Sequence, residues 1–241
     1  EPEQLRRAVA GLVLYAVVGI MDPPRREAKE AIEEARTAGI QVHMITGDHL
    51  VTASAIAKDL GIPGESVAGS ELDSLDDRRL QELAPKVGVL ARVYPEHKLR
   101  VAEALQADGS VVAMTGDGVN DAPALKRADI GIAMGITGTD VSKGAARMIL
   151  TDDNFATIVA AVREGRGIYA NIIKFVRFQL TTAWGFVLIF LAAATFGFAG
   201  GAPFTAIQIL WVNIIMDGPP ALALGVDSTD PKVMRQPPRK P

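Results

Sequence analysis

Cysteine is absent from the 241-residue sequence, which excludes a disulfide framework and any cysteine-based zinc or redox site. A strong excess of charge is also absent: the formal net charge is -3, so the charge balance gives no reason to expect a nucleic-acid partner. The N-terminus has no basic start followed by an apolar core, and we expect no signal peptide. Asp, Glu, Lys and Arg are all missing from Phe178 to Met216, whereas the preceding residues carry nearly all of the charge. The sequence therefore divides into a charged part and an apolar part.

The charged part alternates short apolar strands with helices. The predicted strands are Leu12 to Ile20, which Asp22-Pro23-Pro24 ends, then Gln41 to Ile45, Val87 to Ala91, Val111 to Met114, Ile130 to Ala133 and Met148 to Leu150. The predicted helices are Ala28 to Ala38, Val51 to Leu60 and Pro95 to Ala107, with Gly39 and Gly61 as caps of the first two. This alternation predicts an α/β fold, a doubly wound and mostly parallel sheet with helices on both faces. In such sheets ligands bind beyond the carboxyl ends of the strands.

A long helical pattern begins at Phe155, after good N-cap residues, and continues without proline until Pro203. Its first half is charged and its second half is apolar, so we interpret 155–177 as a stalk helix and 178–202 as a membrane span with its turn. A second span over 203–226 completes a transmembrane hairpin, and a basic, proline-rich tail covers 227–241. The alternative is a buried helical hairpin of a soluble protein, but the uncharged stretch is longer than a soluble core helix needs.

Basic residues lie on both sides of this hairpin: Lys174 and Arg177 before it, and Lys232, Arg235, Arg239 and Lys240 after it. The positive-inside rule then places both ends of the hairpin in the cytosol. The sequence therefore predicts a multi-pass membrane protein with two spans here, whose termini and charged domain are cytoplasmic.

A glycine-rich loop after the strand Val111 to Met114 carries two carboxylates, Asp117 and Asp121, four residues apart. Carboxylates in this position suit Mg²⁺, a hard cation that keeps several waters and often a substrate phosphate. Gly116 and Gly118 would let backbone N–H groups approach that phosphate. By itself such a loop could equally be an ordinary turn.

Two further segments are expected at the same edge of the sheet. Thr46, with Gly47 and Asp48, ends a strand and offers a hydroxyl and backbone donors to phosphate oxygens. Lys98 offers a positive charge that would offset charge developing during phosphoryl transfer. A strand-ending threonine is often only a cap and a surface lysine is usually solvated, so it is the joint occurrence that favours phosphate chemistry.

Several segments, in order, resemble signatures of P-type cation-transporting ATPases. They are Asp22-Pro23-Pro24-Arg25, Met44-Ile45-Thr46-Gly47-Asp48, Ala91-Arg92-Val93-Tyr94-Pro95-Glu96-His97-Lys98, Met114 to Leu125, Asp152-Asp153-Asn154-Phe155 and Leu210 to Pro220. The resemblance covers essentially the whole chain and is nearest to the calcium-pump-like branch. It implies that 1–154 is the C-terminal part of a phosphorylation domain with a Rossmann-like fold of the haloacid-dehalogenase type.

The resemblance implies a role for each matching residue, with Mg²⁺ and ATP as cofactors. The residues implied to act on the phosphoryl group are Thr46, Gly47, Lys98, Asn120 and Asp121. Asp117 and Asp121 are implied to hold Mg²⁺, and Asp48 and Arg92 match positions near the nucleotide. His97 stands beside Lys98, and we expect it to be a packing or capping residue rather than an acid or base.

The family's nucleophile is the first residue of an Asp-Lys-Thr-Gly-Thr string, which this sequence does not contain. The similar string Thr137-Gly138-Thr139 lacks the preceding Asp-Lys. We therefore expect part of an ATP-driven cation pump that does not turn over ATP alone, and a start at Glu1 rather than Met favours a fragment. The alternatives are a non-catalytic, membrane-anchored regulatory or remnant module that docks on an intact pump, and a phosphatase of the same superfamily.

Asn213 and Asp217 lie four residues apart in the second span, so they share a helix face and offer an amide oxygen and a carboxylate to a cation. Gly218-Pro219-Pro220 is expected to unwind the helix beside them. In two-site calcium pumps the resemblance implies further ligands at places occupied here by Ala183, Phe186 and Met216, none of which binds calcium well. We expect at most one ion site per complete pump, with Ca²⁺ favoured over Mn²⁺ or another ion. The expected partners are membrane lipid, that cation and the remainder of the pump.

Overall fold

The computed structural model describes Val13, Tyr15, Ala16 and residues 24–239. Those three early residues are exposed and belong to no strand. The rest of the strand predicted from Leu12 to Ile20, and the Asp22-Pro23 stop that follows it, lie outside the described residues.

Six short strands form two sheets of three strands each, with every pair parallel, among the residues that the structure describes. The strands are β1 Met44–Thr46, β2 Glu65–Ala68, β3 Val87–Ala91, β4 Ala113–Gly116, β5 Ile130–Met134 and β6 Met148–Leu150. The first sheet has the order β1-β3-β2 and the second β4-β5-β6. Ile45 of β1 packs against the same buried cluster that contains Met114 of β4, so the two sheets share one core. The predicted parallel α/β fold is confirmed.

Helices flank these strands, and three of them begin at an N-cap side chain: His49, Asp76 and Thr139. In chain order they are α1 Arg26–Thr37, α2 Leu50–Leu60, α3 Gly69–Leu72, α4 Asp77–Leu83, α5 Pro95–Ala107, α6 Ala122–Arg127 and α7 Asp140–Ala145. Gly61 caps α2 in a left-handed conformation with φ 74°, and Gly39 follows α1 with φ 73°. The three predicted helices are therefore present, with Gly61 as the cap that was expected.

Three strands and one segment differ from the sequence expectation: β1 and β4 are shifted at both ends, and β5 ends at Met134 rather than Ala133. The strand β1 begins at Met44 rather than Gln41, and just before it the ring of His43 bonds the Val87 carbonyl (Nδ1 to O 2.6 Å). The strand β4 begins at Ala113 because the Val112 N–H donates to the Asp129 carboxylate at 2.9 Å. The segment 65–86, predicted as neither strand nor helix, contains β2, α3 and α4; its edge strand is too short and polar to give an apolar run.

A single helix, α8 Phe155–Phe196, runs for 42 residues from the sheets into the apolar part of the chain. Asn154 caps its start by accepting from the Ala156 N–H at 3.0 Å, and Gly197 ends it with φ 72°. After a short turn the chain returns as α9 Ala206–Val212, a π-helix over Asn213–Asp217, and α10 Gly218–Gly225. Phe204 packs against Phe186 and Phe190 of α8 at centroid distances of 5.9 and 6.3 Å. Both helical segments are long and apolar enough to cross a membrane, and their apolar stretches are almost wholly exposed.

The tail after α10 does not extend away from the molecule but folds back along α8. Val233 and Met234 are buried against α1 and α8, beside Ala35 and Val159. Arg166 of α8 donates to the carbonyls of Val233, Gln236 and Ala38 at 3.0, 2.8 and 2.9 Å. The tail therefore connects the membrane hairpin with the first helix of the α/β domain.

Candidate functional site

The end of β4 carries the most compact polar arrangement of the α/β domain. Asp121 is 6% exposed, and its Oδ1 accepts from Lys98 Nζ at 2.5 Å. Its Oδ2 accepts from the backbone N–H groups of Asp117 and Gly118 at 3.2 and 3.1 Å. A Cβ on Gly116 would lie 2.5 Å from the Cβ of Asp121, so glycine is required for the carboxylate to pack against the strand end. Asp121 thus fixes both the loop and the ammonium group.

Asp117 is the more accessible carboxylate of this loop. Its side chain is exposed and makes no hydrogen bond to the described residues. Its backbone carbonyl is held instead, by the Thr139 N–H at 2.9 Å and the Ser142 hydroxyl at 3.1 Å. Asn120 is exposed in the turn Val119–Asp121. The geometry therefore leaves Asp117 free to bind a cation, whereas Asp121 already has donors on both oxygens.

The other predicted phosphate-binding segment follows β1. The Thr46 hydroxyl donates to Asp48 Oδ2 at 3.0 Å and accepts from the Asp48 N–H at 3.1 Å, which closes a tight turn around the exposed Gly47. Arg92, which follows β3, has a left-handed backbone with φ 50°, and its N–H donates to the Asp48 carbonyl at 3.2 Å. Asp48 and Arg92, both expected near a nucleotide, are therefore neighbours.

The structure thus forms two groups of predicted site residues at the carboxyl ends of β1 and β4. No hydrogen bond joins the two groups among the described residues. The part of the chain that is described also contains no cluster of three His, Cys, Asp or Glu side chains that could hold a metal ion. Mg²⁺ fits the exposed Asp117 carboxylate as a hard oxygen donor, provided that phosphate or water supplies the remaining ligands.

Two supports of this site were not predicted as such. Ser142 is fully buried and bonds the Asp117 carbonyl, although only its position three residues after Thr139, a common N-cap spacing, could have indicated it. Asp153 was expected only near a helix cap, yet its carboxylate accepts from the N–H groups of 135–137 and from the Thr137 hydroxyl, at 2.6 to 3.0 Å. Desolvation raises the pKa of Asp153, but the hydrogen bonds have the larger effect and lower this pKa from 3.8 to about 2.

His97 has the structural role that the sequence suggested. It is 4% exposed, and its Nδ1 accepts from the Tyr94 N–H at 3.1 Å, which caps the start of α5. Its Nε2 lies 2.7 Å from Asp73 Oδ1, so the neutral ring with hydrogen on Nε2 satisfies both contacts. The residue holds the first turn of α5, which carries Lys98.

A second polar site lies in an open cavity of the apolar hairpin, where Asn213 is exposed. A cavity of about 520 Å³ lies between α8 and the returning helices and is lined by Asn213 and Asp217, together with side chains of α8. One carboxylate oxygen of Asp217, Oδ1, is buried and has no hydrogen-bond partner among the described residues. The pair therefore shares one face, as their spacing predicted.

The helix around this pair is not unwound at Gly218-Pro219-Pro220, so that expectation is wrong. It widens one turn earlier into the π-helix Asn213–Asp217 and then continues as α10 with proline in its first turn. Pro219 and Pro220 have no N–H, so the carbonyls four residues before them lose their α-helical donors, and a wider turn is tolerated there. Proline at the start of α10 costs no further hydrogen bond.

Comparison with known proteins covers both parts of the chain. A family described as "haloacid dehalogenase-like hydrolase" matches residues 1–129, and a second family with the same description matches residues 98–162. A family described as "Cation transporting ATPase, C-terminus" matches residues 201–241.

Individual relatives are similar over almost the entire chain. It is 52% identical over 238 residues to calcium-transporting ATPase 1 of Schizosaccharomyces pombe, covering 95% of this chain and 26% of the relative. It is 50% identical over 244 residues to the calcium-transporting ATPase of Bacillus subtilis, covering 100% and 27%. The solved structure of a zinc-transporting PIB-type ATPase in an E2P state is 30% identical with a TM-score of 0.57, covering 83% of this chain and 27% of that one. The chain spans about a quarter of the length of these proteins.

Proposed function

Because this chain belongs to the haloacid dehalogenase-like hydrolases and is about half identical to calcium-transporting ATPases, we propose that it is a segment of an ATP-driven P-type cation pump. The observation that carries the proposal is the joint presence of two sites in one chain, one before α8 and one beside its apolar half. A loop suited to phosphate and Mg²⁺ lies at the strand ends before α8, and a carboxylate without a partner lies in a cavity beside the apolar half of α8. A pump needs both of these sites, because it couples phosphoryl transfer to the movement of a cation.

At the strand ends, the proposed task is to bind and neutralise a phosphoryl group. Thr46 and Gly47 would donate to its oxygens, and Lys98 would place a positive charge that Asp121 already orients. Asn120 would assist at the exposed turn, and Asp117 would hold Mg²⁺, which supplies charge neutralisation when bound. Asp121 would act on the metal mainly through the loop that it fixes.

The nucleotide would approach the turn that Asp48 and Arg92 form together. The nucleophilic aspartate would come from a part of the pump outside this sequence. We therefore expect the full chain, incubated with Mg²⁺ and labelled ATP, to give no acid-stable, hydroxylamine-sensitive phosphoenzyme.

In the apolar part, the proposed task is to hold the transported cation. Asp217 provides the charge and Asn213 a neutral oxygen. Ala183 and Phe186 occupy places where two-site calcium pumps are expected to have further ligands, and they line the cavity without a ligand atom. We propose one ion per pump, with Ca²⁺ favoured by the names of the relatives. The hairpin would span the membrane with the α/β domain, the stalk 155–177 and the tail 227–241 in the cytoplasm.

A chimera tests this function. In it, this chain replaces the matching segment of the Bacillus subtilis relative. The similarity to that relative covers the full length of this chain. We expect ATP-dependent uptake of labelled Ca²⁺ into membrane vesicles, lost on Lys98→Ala and on Asp217→Asn. The matched control is Lys126→Ala, which removes a surface lysine of α6 outside the site. An unaltered chimera that is inserted in the membrane but does not transport would favour a regulatory module instead.

A further inference from the structure

One face of α8 forms a wall of the cavity that contains Asp217. The α8 side chains on this wall are Gln179, Thr182, Ala183, Phe186 and Phe190. Each of them lies three or four residues from another member of the set, which is the spacing of a single helix face. Only the first two have a side-chain oxygen, so any side-chain ligand that α8 offers to a cation in this cavity must come from them.

Thr182 has a hydroxyl oxygen that is available to a cation. Its proton is donated to the Phe178 carbonyl at 3.1 Å, which leaves the oxygen lone pairs directed elsewhere. The adjacent Thr181 makes the same kind of bond, to the Arg177 carbonyl at 2.8 Å, but it is exposed and does not line the cavity. The two threonines therefore differ in their access to the cavity and hardly at all in their effect on the helix.

Gln179 is half-buried and lies one helical turn closer to the charged stalk than Ala183. At 1.5 Å per residue, the backbone of Gln179 lies about 6 Å along the helix axis from that of Ala183. An amide side chain is long enough to recover part of that distance, and the cavity of about 520 Å³ has room for a cation that keeps several waters of about 30 Å³ each. The amide thus lies between the stalk and the carboxylate.

Asp217 needs a positive charge that the apolar segment cannot provide. A carboxylate within a membrane span is costly, and from Phe178 to Met216 the sequence has no Lys or Arg to pair with it. Its buried Oδ1 has no hydrogen-bond partner among the described residues, although the cavity beside it has room for a ligand. A bound cation would supply both the positive charge and a partner for this oxygen.

We propose that Gln179 and Thr182 are ligands of the transported cation and determine its specificity, together with Asn213 and Asp217. The set is one carboxylate and three neutral oxygens, which suits a single hard divalent cation that retains water. Gln179, as the donor nearest the stalk, is the first of the four that a cation entering from that side would meet. This inference rests on the proposed function, since it assigns further residues to the same ion site.

The test is Mn²⁺ binding by the full chain in lipid nanodiscs, followed by the loss of the electron paramagnetic resonance signal of free Mn²⁺, with Ca²⁺ as competitor. We expect Gln179→Leu and Thr182→Val each to raise the Kd for Mn²⁺ by about tenfold. Loss of a residue that only hydrogen-bonds a metal ligand already lowers metal affinity by about that factor. Thr181→Val is the matched control and should leave the Kd unchanged. Gln179→Glu adds a second carboxylate and should lower the Kd, a gain that misfolding cannot produce.

The outcomes separate this inference from the proposed function. If Asp217→Asn abolishes binding while Gln179→Leu and Gln179→Glu both leave the Kd unchanged, Gln179 is not a ligand and the Asn213–Asp217 site stands. If Thr182→Val and Thr181→Val have equal effects, Thr182 is not a ligand. A third outcome is that the chimera transports Ca²⁺ but Asp217→Asn does not alter Mn²⁺ binding by the chain. This result would overturn the ion site, whereas the proposal that the chain is a segment of a pump would stand.

Discussion

At the scale of single residues, Asp121 connects the parts of the phosphate-binding loop. It is nearly buried, yet each of its oxygens has a donor: Lys98 on one side and the N–H groups of Asp117 and Gly118 on the other. A buried carboxylate with these partners is stable only while all of them remain in place. The ammonium group and the loop therefore have to be positioned together.

Gly116→Ala tests this dependence on position. The added methyl would lie 2.5 Å from the Asp121 Cβ, so we expect the free energy of unfolding to fall by about 1–3 kcal/mol as Asp121 moves. Chemical unfolding followed by circular dichroism measures the change. Gly144→Ala is the control: it lies in α7 with no atom within 4 Å of the new methyl, and alanine favours a helix by about 0.5–1 kcal/mol. Equal effects of the two substitutions would contradict the account.

The sequence predicted the identity of these residues better than their arrangement. Thr46, Lys98 and Asp117 were found because each follows or begins an element whose apolar pattern is clear. Asp121 was expected to ligate a metal, a role that remains a prediction, but its contacts to Lys98 and two amides depend on how β4 and α5 pack. Gln179 was missed because one polar residue in a helical pattern gives no sign of which face it occupies.

At the scale of elements, the segment between β5 and α7 is held to the start of α8 by Asp153. This residue has a left-handed backbone with φ 49° and directs its carboxylate at the N–H groups of Gly135, Ile136 and Thr137. The same segment leads to Thr139, which bonds the Asp117 carbonyl. The phosphate loop and the long helix are therefore linked by a short chain of hydrogen bonds.

Acid should weaken this link. The pKa of Asp153 is about 2 in the folded chain against an ordinary value of 3.8, so its stabilisation is fully present above about pH 4 and is lost as the pH falls towards 2. We expect Asp153→Asn to remove this part of the pH dependence and to speed amide exchange at Ile136 and Thr137. Asp140→Asn, an exposed aspartate in the first turn of α7, is the control. An Asp153→Asn chain as sensitive to acid as the unaltered chain would refute the link.

Elements with a strong pattern were predictable, and those that depend on their neighbours were not. Strands β3 and β6 and helix α5 have the predicted boundaries. The edge strand β2 has an exposed polar start, and it exists because the buried β3 offers it a partner. The π-helix depends on two prolines that follow it, and the return of the tail depends on a contact far away in sequence.

At the scale of the whole molecule, Arg166 joins three parts that are distant in the chain. Its guanidinium, on the stalk half of α8, donates to carbonyls of the tail and to that of Ala38 at the end of α1. Further along α8, Lys174 bonds Asp227 at 2.5 Å, and this contact lowers the pKa of that carboxyl. A movement of the stalk would therefore strain hydrogen bonds to both the tail and the α/β domain.

Arg166→Lys should loosen the tail, because an ammonium group cannot reproduce the fixed fork of a guanidinium. We expect protection of the Val233 and Arg235 amides against hydrogen exchange to fall by about 1–2 kcal/mol, as one or two hydrogen bonds are lost. Arg163→Lys is the matched control, since Arg163 lies on the same helix as Arg166 but pairs with Glu34 of α1 instead of the tail. Unchanged exchange in Arg166→Lys would show that the buried Val233 and Met234 hold the tail without the arginine.

The central claim is that the phosphate loop and the cation cavity act as one unit through α8. Phosphorylation of the chimera by labelled ATP, with and without Ca²⁺, tests it most directly. We predict an acid-stable phosphoenzyme that forms only with Ca²⁺ in the unaltered chimera and in Thr181→Val. With Asp217→Asn, Ca²⁺ should no longer promote that phosphoenzyme, although inorganic phosphate should still phosphorylate the protein. Phosphorylation by ATP that ignores Ca²⁺, or that remains Ca²⁺-dependent in Asp217→Asn, would contradict the account.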